Sequence, residues 1–260
     1  MSRILVTGGT GVLGHEIVKQ LGGTEHTIRI MSRRSQPATL QANQEWAQAD
    51  LETGAGLKEA VAGVDVILHA ASNPRQNTYQ ADVVGTRKLL EQAKIANVAH
   101  FVYISIVGIE RIPFAYYNVK VEAENVIKAS GVPNTILRAT QFHDFVDILA
   151  TTADRFKPFL FLPIDFQIQP VDVGEVAARM IQIAAYQPAG LLPDMGGPEV
   201  FRARDLVKIW LKTRGMRRIV LPLPMLGKVA HGFRNGYNTC PDHRDGKITW
   251  AQWLDRKYGK

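Results

Sequence analysis

Tyr116 and Lys120 form the pair with the clearest chemistry in this chain of 260 residues. Side chains four positions apart lie on one face of a helix, so the phenol and the ammonium would be neighbours. A nearby ammonium favours the phenolate, and we therefore expect Lys120 to lower the pKa of Tyr116 from its ordinary value of about 10. A phenol tuned in this way can give a proton to a carbonyl oxygen, which Ser105 could also hydrogen-bond.

Both assignments have an alternative that the sequence leaves open. Tyr117 could be the reactive tyrosine instead, or a buried core residue, although only Tyr116 stands four residues before Lys120. Ser105 could be an ordinary serine at the end of a strand.

A glycine-rich turn lies near the start of the chain, where residues 7–14 read TGGTGVLG directly after an apolar run. Glycines here permit a sharp turn, a close approach of the backbone to a pyrophosphate, and close packing of the following helix. The free N–H groups and the positive end of that helix would then face the phosphates. We predict a dinucleotide site formed by Gly8, Thr10, Gly11, Val12, Leu13 and Gly14. The alternative is a glycine turn with a structural role only.

The end of the second predicted strand indicates which dinucleotide to expect. An NAD site usually carries an acidic residue there, which accepts a hydrogen bond from the ribose 2′-hydroxyl. This chain has Ser32, Arg33 and Arg34 instead. Two guanidiniums can bind a 2′-phosphate through charge-assisted hydrogen bonds, so NADP(H) is predicted over NAD(H), which remains possible.

Two further breaks follow predicted strands, at the carboxyl ends where open parallel sheets bind ligands. Asp50 and Leu51 follow the third strand, and Ala70, Ala71 and Ser72 follow the fourth. Small residues allow backbone contact, so we expect both breaks to contact the cofactor.

The elements that position these residues follow from the hydrophobic pattern. Short apolar runs with β-branched residues alternate with amphipathic stretches, which is typical of a parallel sheet with helices on both faces. The predicted strands are Ile4–Val6, Thr27–Met31, Val64–Leu68, His100–Ile104 and Asn134–Leu137. The predicted helices include one with an apolar stripe of Val12, Ile17, Val18 and Leu21, and others over 172–185 and 204–213.

We therefore predict an α/β fold, a doubly wound parallel sheet of the Rossmann type with right-handed crossovers. Residues 1–260 are expected to form a single dinucleotide-binding domain, to which residues 140–260 contribute a smaller C-terminal lobe.

Composition excludes several classes of protein. Hydrophobic residues make up 46% and charged residues 21%, which argues against global disorder and coiled coils. The single cysteine excludes an intramolecular disulfide and fits a reducing compartment, so the cytoplasm is expected. No stretch approaches the ~20 apolar residues that a spanning helix needs. Cys240 and His243 are too few ligands for a closed zinc site, so no metal is expected.

The net charge of +7 is distributed unevenly. Residues 202–260 hold 14 of the 31 basic and 4 of the 24 acidic residues, a net of +10. A basic end can bind nucleic acid, an acidic protein or anionic lipid, or it can be a solvated surface. Trp250 and Trp253 are three apart in a predicted helix, which indicates a buried face, so a nucleic-acid partner is not expected.

Together these residues resemble the short-chain dehydrogenase/reductase superfamily, in its extended and atypical (NmrA-like) branch. The resemblance covers about residues 3–185 and rests on TGGTGVLG at 7–14, DL at 50–51, HAAS at 69–72, DVVGTRKLLEQA at 82–93, Ser105, YYNVK at 116–120, RATQF at 138–142 and PVDVGEVA at 170–177. It implies that Ser105, Tyr116 and Lys120 are catalytic and that Lys120 also binds the nicotinamide ribose. It also implies that the loop with Thr140 and Phe142 runs past the nicotinamide.

One position departs from the family pattern. Asp82 stands where many relatives carry an asparagine, and no other residue clearly replaces that asparagine in a proton relay.

The predicted function is that of an NADP(H)-dependent oxidoreductase, which reduces a carbonyl or conjugated group of a small, fairly apolar molecule. The pocket for this substrate could be lined by Phe142, Phe145, Phe159, Phe161 and Phe166, which could equally be core aromatics. The alternative is a non-catalytic NADP(H)-binding redox sensor or assembly subunit with a basic, partner-binding C-terminal lobe. An epimerase or dehydratase of nucleotide sugars ranks third, and a homodimer is expected from the family only.

Overall fold

The structure, a computed structural model, describes residues 1–74 and 76–259. It divides into two units, each with its own hydrophobic core. The first unit comprises Met1–Ser105, Ala115–Leu137 and Ala177–Leu192. The second comprises Ile106–Phe114, Arg138–Val176 and Pro193–Lys260.

The strands follow the chain in an order typical of a doubly wound sheet. They are β1 (Arg3–Thr7), β2 (Thr27–Ser32), β3 (Gln44–Gln48), β4 (Val66–His69), β5 (His100–Ile106), β6 (Asn134–Ala139), β7 (Phe159–Leu162), β8 (Gln167–Ile168), β9 (Gly190–Leu191), β10 (Phe201–Arg202) and β11 (Ile219–Pro222). Seven of them form one parallel sheet in the order β3-β2-β1-β4-β5-β6-β9, which confirms the predicted fold class.

The helices lie between these strands. They are α1 (Val12–Leu21), α2 (Leu57–Val61), α3 (Thr86–Ile95), α4 (Ala115–Ala129), α5 (His143–Ala153), α6 (Val173–Ala184), α7 (Ala203–Thr213), α8 (Lys228–Arg234) and α9 (Trp250–Tyr258). A π-helical turn, Gln80–Gly85, leads directly into α3, and a 3₁₀ turn, Asp154–Phe156, follows α5. Among the described residues, no helix has both the length and the apolar content that crossing a membrane requires.

The core of the first unit explains why its apolar runs become central strands. Leu5, Ile67 and Phe101 on neighbouring strands β1, β4 and β5 are fully buried. The predicted stripe of α1 is correct for Ile17 and its buried neighbours Val18 and Leu21. It is wrong for Val12, which is 53% exposed, because the first helical turn lies beyond the residues that pack in the core.

The second unit is built from helices and two small sheets. Strand β8 pairs with β10, and β7 pairs in parallel with β11. The carboxylate of Asp147 on α5 is buried and accepts hydrogen bonds from Trp210 Nε1 at 2.7 Å, Tyr258 Oη at 2.7 Å and Lys257 Nζ at 3.0 Å. These bonds tie α9 to α5 and α7. The predicted buried face of α9 is confirmed, because Trp250 and Trp253 are buried and stacked on each other.

Candidate functional site

The glycine-rich turn between β1 and α1 forms a cradle that side chains would fill. Gly8 has φ +66°, and a Cβ atom there would lie 2.7 Å from the Cα atom of Ala71. A Cβ atom at Gly14 would lie only 2.1 Å from the carbonyl oxygen of Gly8. The N–H of Gly11 donates to that same oxygen at 2.8 Å and closes the turn. No side chain caps the N-terminus of α1, so the N–H groups of its first turn are left for a ligand.

A buried histidine holds the end of β4 beside this turn. Nδ1 of His69 lies 2.7 Å from Oγ1 of Thr7, and its Nε2 lies 2.9 Å from Oγ1 of Thr86. Burial, with a smaller contribution from the charge of Lys120, lowers the pKa of His69 to about 3. The ring is therefore neutral at pH 7, so it donates at one nitrogen and accepts at the other. Sequence analysis did not anticipate this bridge.

The backbone after β2 is held in place by side chains of β3. Trp46 Nε1 donates to the carbonyl oxygen of Arg34 at 3.0 Å, and Gln48 Nε2 donates to that of Arg33 at 3.3 Å. The N–H of Arg34 donates to Ser32 Oγ at 3.2 Å. Within residues 1–74 and 76–259 the guanidinium of Arg34 has no ion-pair partner and is exposed, as a phosphate-binding group needs to be.

An acidic residue that the sequence did not reveal lies next to these arginines. Glu52 Oε1 is 3.6 Å from Arg33 Nη1. The same carboxylate accepts hydrogen bonds from the side-chain amides of Asn73 and Asn77, both at 3.3 Å. Arg33 is therefore partly neutralised, whereas Arg34 is not.

The break after β3 has a structural role in addition to the predicted one. Asp50 Oδ1 accepts a hydrogen bond from the N–H of Glu52 at 2.9 Å, and the side chain of Leu51 is buried in the core of the first unit. A Cβ atom at Gly85 would lie 2.8 Å from that of Leu51. A cofactor contact at Asp50 and Leu51 stays a prediction.

Tyr116, at the start of α4, is part of a hydrogen-bonded chain. Its Oη lies 3.0 Å from Ser72 Oγ, and Ser72 Oγ donates to Asp82 Oδ2 at 2.6 Å. A serine hydroxyl has one proton to donate. Because Ser72 gives that proton to Asp82, the hydroxyl of Tyr116 is the donor to Ser72.

Asp82 is placed for this contact by the π-helical turn before α3. Its side chain is 2% exposed, and its second oxygen, Oδ1, accepts from the N–H of Asn73 at 3.0 Å. Such turns inside helices are frequent at functional sites. The position where relatives carry asparagine thus lies within two hydrogen bonds of the tyrosine.

Lys120 and Ser105 lie buried in the same unit. Lys120 Nζ donates to the carbonyl oxygen of Ile104 at 3.2 Å and lies 4.3 Å from the ring centroid of Tyr103. Burial lowers the pKa of Lys120 to about 8, against the opposing charges of Asp82 and Glu124. The hydroxyl of Ser105 is buried and, in the part of the chain that the structure describes, has no hydrogen-bond partner. Such a group in a native structure calls for a functional or solvent partner.

The expected effect of Lys120 on Tyr116 is wrong in this structure. Burial raises the pKa of Tyr116 to about 12, the hydrogen bond from Ser72 opposes that rise, and the charge of Asp82 adds to it. The ammonium of Lys120 is directed to Ile104 and Tyr103, so burial determines the pKa of the phenol. Tyr117 is buried, with its ring centroid 6.5 Å from that of Tyr116.

The remaining candidates lie in the second unit. Thr140 is buried, and its Oγ1 has no partner among the described residues, whereas Phe142 immediately precedes α5 and bridges to Val171. Their contacts with a cofactor stay predictions. His143 Nε2 is bonded to the carbonyl oxygen of Ile248 at 3.1 Å, which is a structural role.

The phenylalanines of the second unit do not share one environment. Phe166 is a core residue stacked on Phe233, whereas Phe159 and Phe161 are exposed. No cluster of three or more potential metal ligands occurs within the described ranges.

The cradle, the parallel sheet and the polar residues after β4 define a dinucleotide-binding α/β protein. The family comparison is more specific: a family model described as NAD(P)H-binding matches residues 8–183. The chain belongs to this family of NAD(P)H-binding oxidoreductases and fits the atypical short-chain dehydrogenase/reductases.

Three curated relatives illustrate the range of the family. Quinone oxidoreductase 2 of Escherichia coli (strain K12) is 26% identical over 220 residues, which are 82% of this chain and 74% of the relative. Photosystem II assembly factor Ycf39 of Cyanophora paradoxa is 30% identical over 149 residues, 54% of this chain and 45% of the relative. The 3-beta-hydroxysteroid dehydrogenase of Mycolicibacterium neoaurum is 26% identical over 168 residues, 60% and 42% respectively. The chain thus spans less than half the length of the last two.

Solved structures show the same fold. The NADPH-dependent quinone oxidoreductase of Escherichia coli, complexed with NADPH, has a TM-score of 0.80 at 21% identity and covers 98% of this chain and 99% of that one. UDP-glucose 4-epimerase of Thermotoga maritima has a TM-score of 0.75 at 17% identity, with coverages of 97% and 96%.

Proposed function

We propose that this chain is an NADP(H)-dependent reductase that acts on a carbonyl or conjugated group of a small, fairly apolar molecule. The observation that carries the proposal is the hydrogen bond between Tyr116 and Ser72, which presents a protonated phenol in the unit that also holds the glycine cradle. The names of relatives, a quinone oxidoreductase and a hydroxysteroid dehydrogenase, support an apolar substrate.

The residues present fit a nicotinamide dinucleotide. The turn from Gly8 to Gly14 leaves no room for side chains, and the N–H groups at the start of α1 are uncapped, so they suit a pyrophosphate. Arg34, with Arg33, would bind the 2′-phosphate, and Lys120 would bind the nicotinamide ribose. The breaks at Asp50–Leu51 and Ala70–Ser72, together with Thr140 and Phe142, would complete the site. When bound, the reduced nicotinamide supplies a hydride.

Tyr116 would supply the proton that balances this hydride. With a pKa of about 12 the phenol is protonated at neutral pH, which is the form that a proton donor needs. The O–H bond of Tyr116 breaks as the substrate oxygen becomes basic, and the proton moves to that oxygen. Ser105, whose hydroxyl lacks a partner within the described chain, would hydrogen-bond the same oxygen.

Asp82 and Ser72 would orient the phenol and return its proton. Once Tyr116 is a phenolate, the Ser72 hydroxyl can rotate to donate to it, and Asp82 can pass on a proton taken up from solvent. This chain of groups would take the place of the asparagine that many relatives carry at position 82.

The test is the rate of NADPH oxidation with a panel of quinones and ketones, for the parent protein and Tyr116→Phe. We expect kcat to fall by about 100-fold or more with the best substrate. Tyr117→Phe, which removes a neighbouring buried phenol, is the matched control and should keep the parental kcat. A Tyr116→Phe variant as active as the parent would remove the mechanism.

A second candidate function is a non-catalytic NADP(H)-binding sensor or assembly subunit. It is favoured by Ycf39 of Trieres chinensis, a photosystem II assembly factor that is 26% identical over 266 residues and covers 97% of this chain and 82% of the relative. This candidate predicts NADPH binding without turnover of any panel substrate. It also predicts protein-partner binding through the basic residues 202–260 that weakens with salt.

A further inference from the structure

An apolar face lies on the small sheet of β7 and β11 in the second unit. Side chains alternate along a strand, so Leu160 and Leu162 are buried in the core while Phe159 and Phe161 are each 40% exposed. The parallel register sets Ile219, also exposed, beside Phe159. The outer face of this sheet is therefore apolar.

The residues next to the sheet extend this face. Phe156 is 66% exposed, and its ring centroid is 6.3 Å from that of Phe161. The loop after β11 exposes Leu223, Met225 and Leu226, of which Leu226 is 90% exposed. We name the exposed side chains of residues 155–161 and 217–228 the cationic apolar face. Contiguous exposed apolar surface marks an interaction site because its hydration is unfavourable.

The charges of this face have one sign. Arg155, Lys157, Arg217 and Lys228 are exposed. The two neighbouring acids are engaged elsewhere, since Asp154 is hydrogen-bonded to Arg218 and Asp165 to Arg234. Residues 155–164 and 217–228 contain no Asp, Glu, Ser, Thr, Asn or Gln. Every exposed side chain of the face is thus apolar or cationic.

This composition selects one occupant. Protein interfaces are depleted in lysine at their centre and form about one hydrogen bond per 100–200 Å², and this face has no uncharged polar side chain to form them. A bilayer surface accepts aromatic and aliphatic side chains between headgroups whose phosphates attract Lys and Arg. We propose that the cationic apolar face docks the protein on an anionic lipid bilayer.

The sheet also limits the depth of this contact. It has only two strands, so β7 and β11 each keep one edge that no strand covers. Backbone groups without partners are not tolerated in hydrocarbon. The face would therefore lie at headgroup level, with the phenylalanine rings and Leu226 reaching to the acyl boundary. This inference does not rest on the reductase activity.

The test is flotation of the full chain with vesicles, one set of phosphatidylcholine alone and one of phosphatidylcholine with phosphatidylglycerol. We expect binding to the second set only, weakening with added salt. Phe156→Ser/Phe161→Ser should lower the partition coefficient by about tenfold or more, because two rings lose apolar burial. Lys157→Ala/Lys228→Ala should lower it by about fivefold for each cation removed.

Matched controls are Ile95→Ser and Lys58→Ala, an exposed apolar and an exposed basic residue of the first unit, which should bind as the parent does. Circular dichroism checks that each variant is folded. Equal binding to both vesicle sets, or to neither, would overturn the proposal. So would self-association without vesicles that the phenylalanine variant abolishes, or capture by poly-glutamate in place of vesicles.

Discussion

The phenol oxygen of Tyr116 lies 3.0 Å from the hydroxyl oxygen of Ser72, although 44 residues separate them in the chain. Ser72 is bonded in turn to the buried carboxylate of Asp82, which fixes the direction of the hydrogen bond: the tyrosine donates. The phenol is therefore held protonated and oriented by groups from the end of β4 and from the π-helical turn.

Removing the Ser72 hydroxyl should impair proton donation without impairing cofactor binding. For Ser72→Ala we expect kcat to fall by about tenfold, the scale of one hydrogen bond to a group that becomes charged, with an unchanged Kd for NADPH. Ser72→Thr keeps a hydroxyl and should retain most of the activity. A parallel loss of NADPH affinity in Ser72→Ala would mean that the serine serves the cofactor instead.

Removing the charge of Asp82 should lower the pKa of Tyr116. The carboxylate raises that pKa because it disfavours a second negative charge nearby. In Asp82→Asn the phenol should titrate below about 12, which NMR of ¹³Cζ-labelled tyrosine can follow, with Tyr116→Phe assigning the signal. An unchanged titration would show that Asp82 does not act on the phenol.

Glu52 should weaken the preference for NADPH. Its carboxylate is 3.6 Å from Arg33 and would repel a 2′-phosphate bound there. In Glu52→Gln we expect NADPH to bind about threefold more tightly while the Kd for NADH stays the same, a modest effect because Arg33 is exposed and screened. Glu59→Gln, an exposed acid on α2, is the control. Equal changes for both dinucleotides would contradict a 2′-phosphate site at Arg33.

Lys120 should make stability depend on pH in the alkaline range. Its pKa is about 8 in the folded chain against about 10.4 when unfolded, so the unfolded state binds more protons between these values. The free energy of unfolding therefore rises with pH, by about 2 kcal/mol between pH 8 and pH 10. Denaturant unfolding of the parent and of Lys120→Met should diverge by that amount. Above pH 10 the raised pKa values of Tyr116 and Tyr117 act in the opposite direction. Parallel curves from pH 8 to pH 10 would show that the ammonium is not buried.

Gly14→Ala should damage the cradle. The new methyl group would lie 2.1 Å from the carbonyl oxygen of Gly8, so the turn must move. We expect NADPH affinity to fall by at least about tenfold and stability by about 2 kcal/mol. Gly23→Ala is the control: it has φ +75° but open space around it, so it should lose about 1 kcal/mol of stability and no affinity. Equal affinity losses in the two variants would indicate a general folding defect.

The parts of the fold that sequence predicts well are those specified locally. The turn at 7–14 and the buried strands could be predicted because period and glycine spacing are visible within about ten residues. β3 was absent from the predicted strands, because QEWAQ pairs at a sheet edge and lacks an apolar run. The sheet of β7 and β11 was missed because its strands lie about 60 residues apart.

The site was predictable in its membership and not in its contacts. Tyr116 and Lys120 were found by their spacing, but the direction of the pKa shift was wrong because burial is a tertiary property. Ser72 was expected to touch the cofactor through its small size, whereas its bond to Tyr116 depends on a π-helical turn that no local pattern indicates. Glu52 was overlooked because the search for an acid stopped at the end of β2.

Dinucleotide binding underlies every role proposed above, and calorimetric titration of NADPH and NADH tests it most directly. The account predicts that the parent binds NADPH, that NADH binds about tenfold more weakly, and that Arg33→Ala/Arg34→Ala brings the NADPH affinity down to that of NADH. Equal affinity of the parent for the two dinucleotides would contradict the arginine site. An absence of binding for both would contradict the cradle itself.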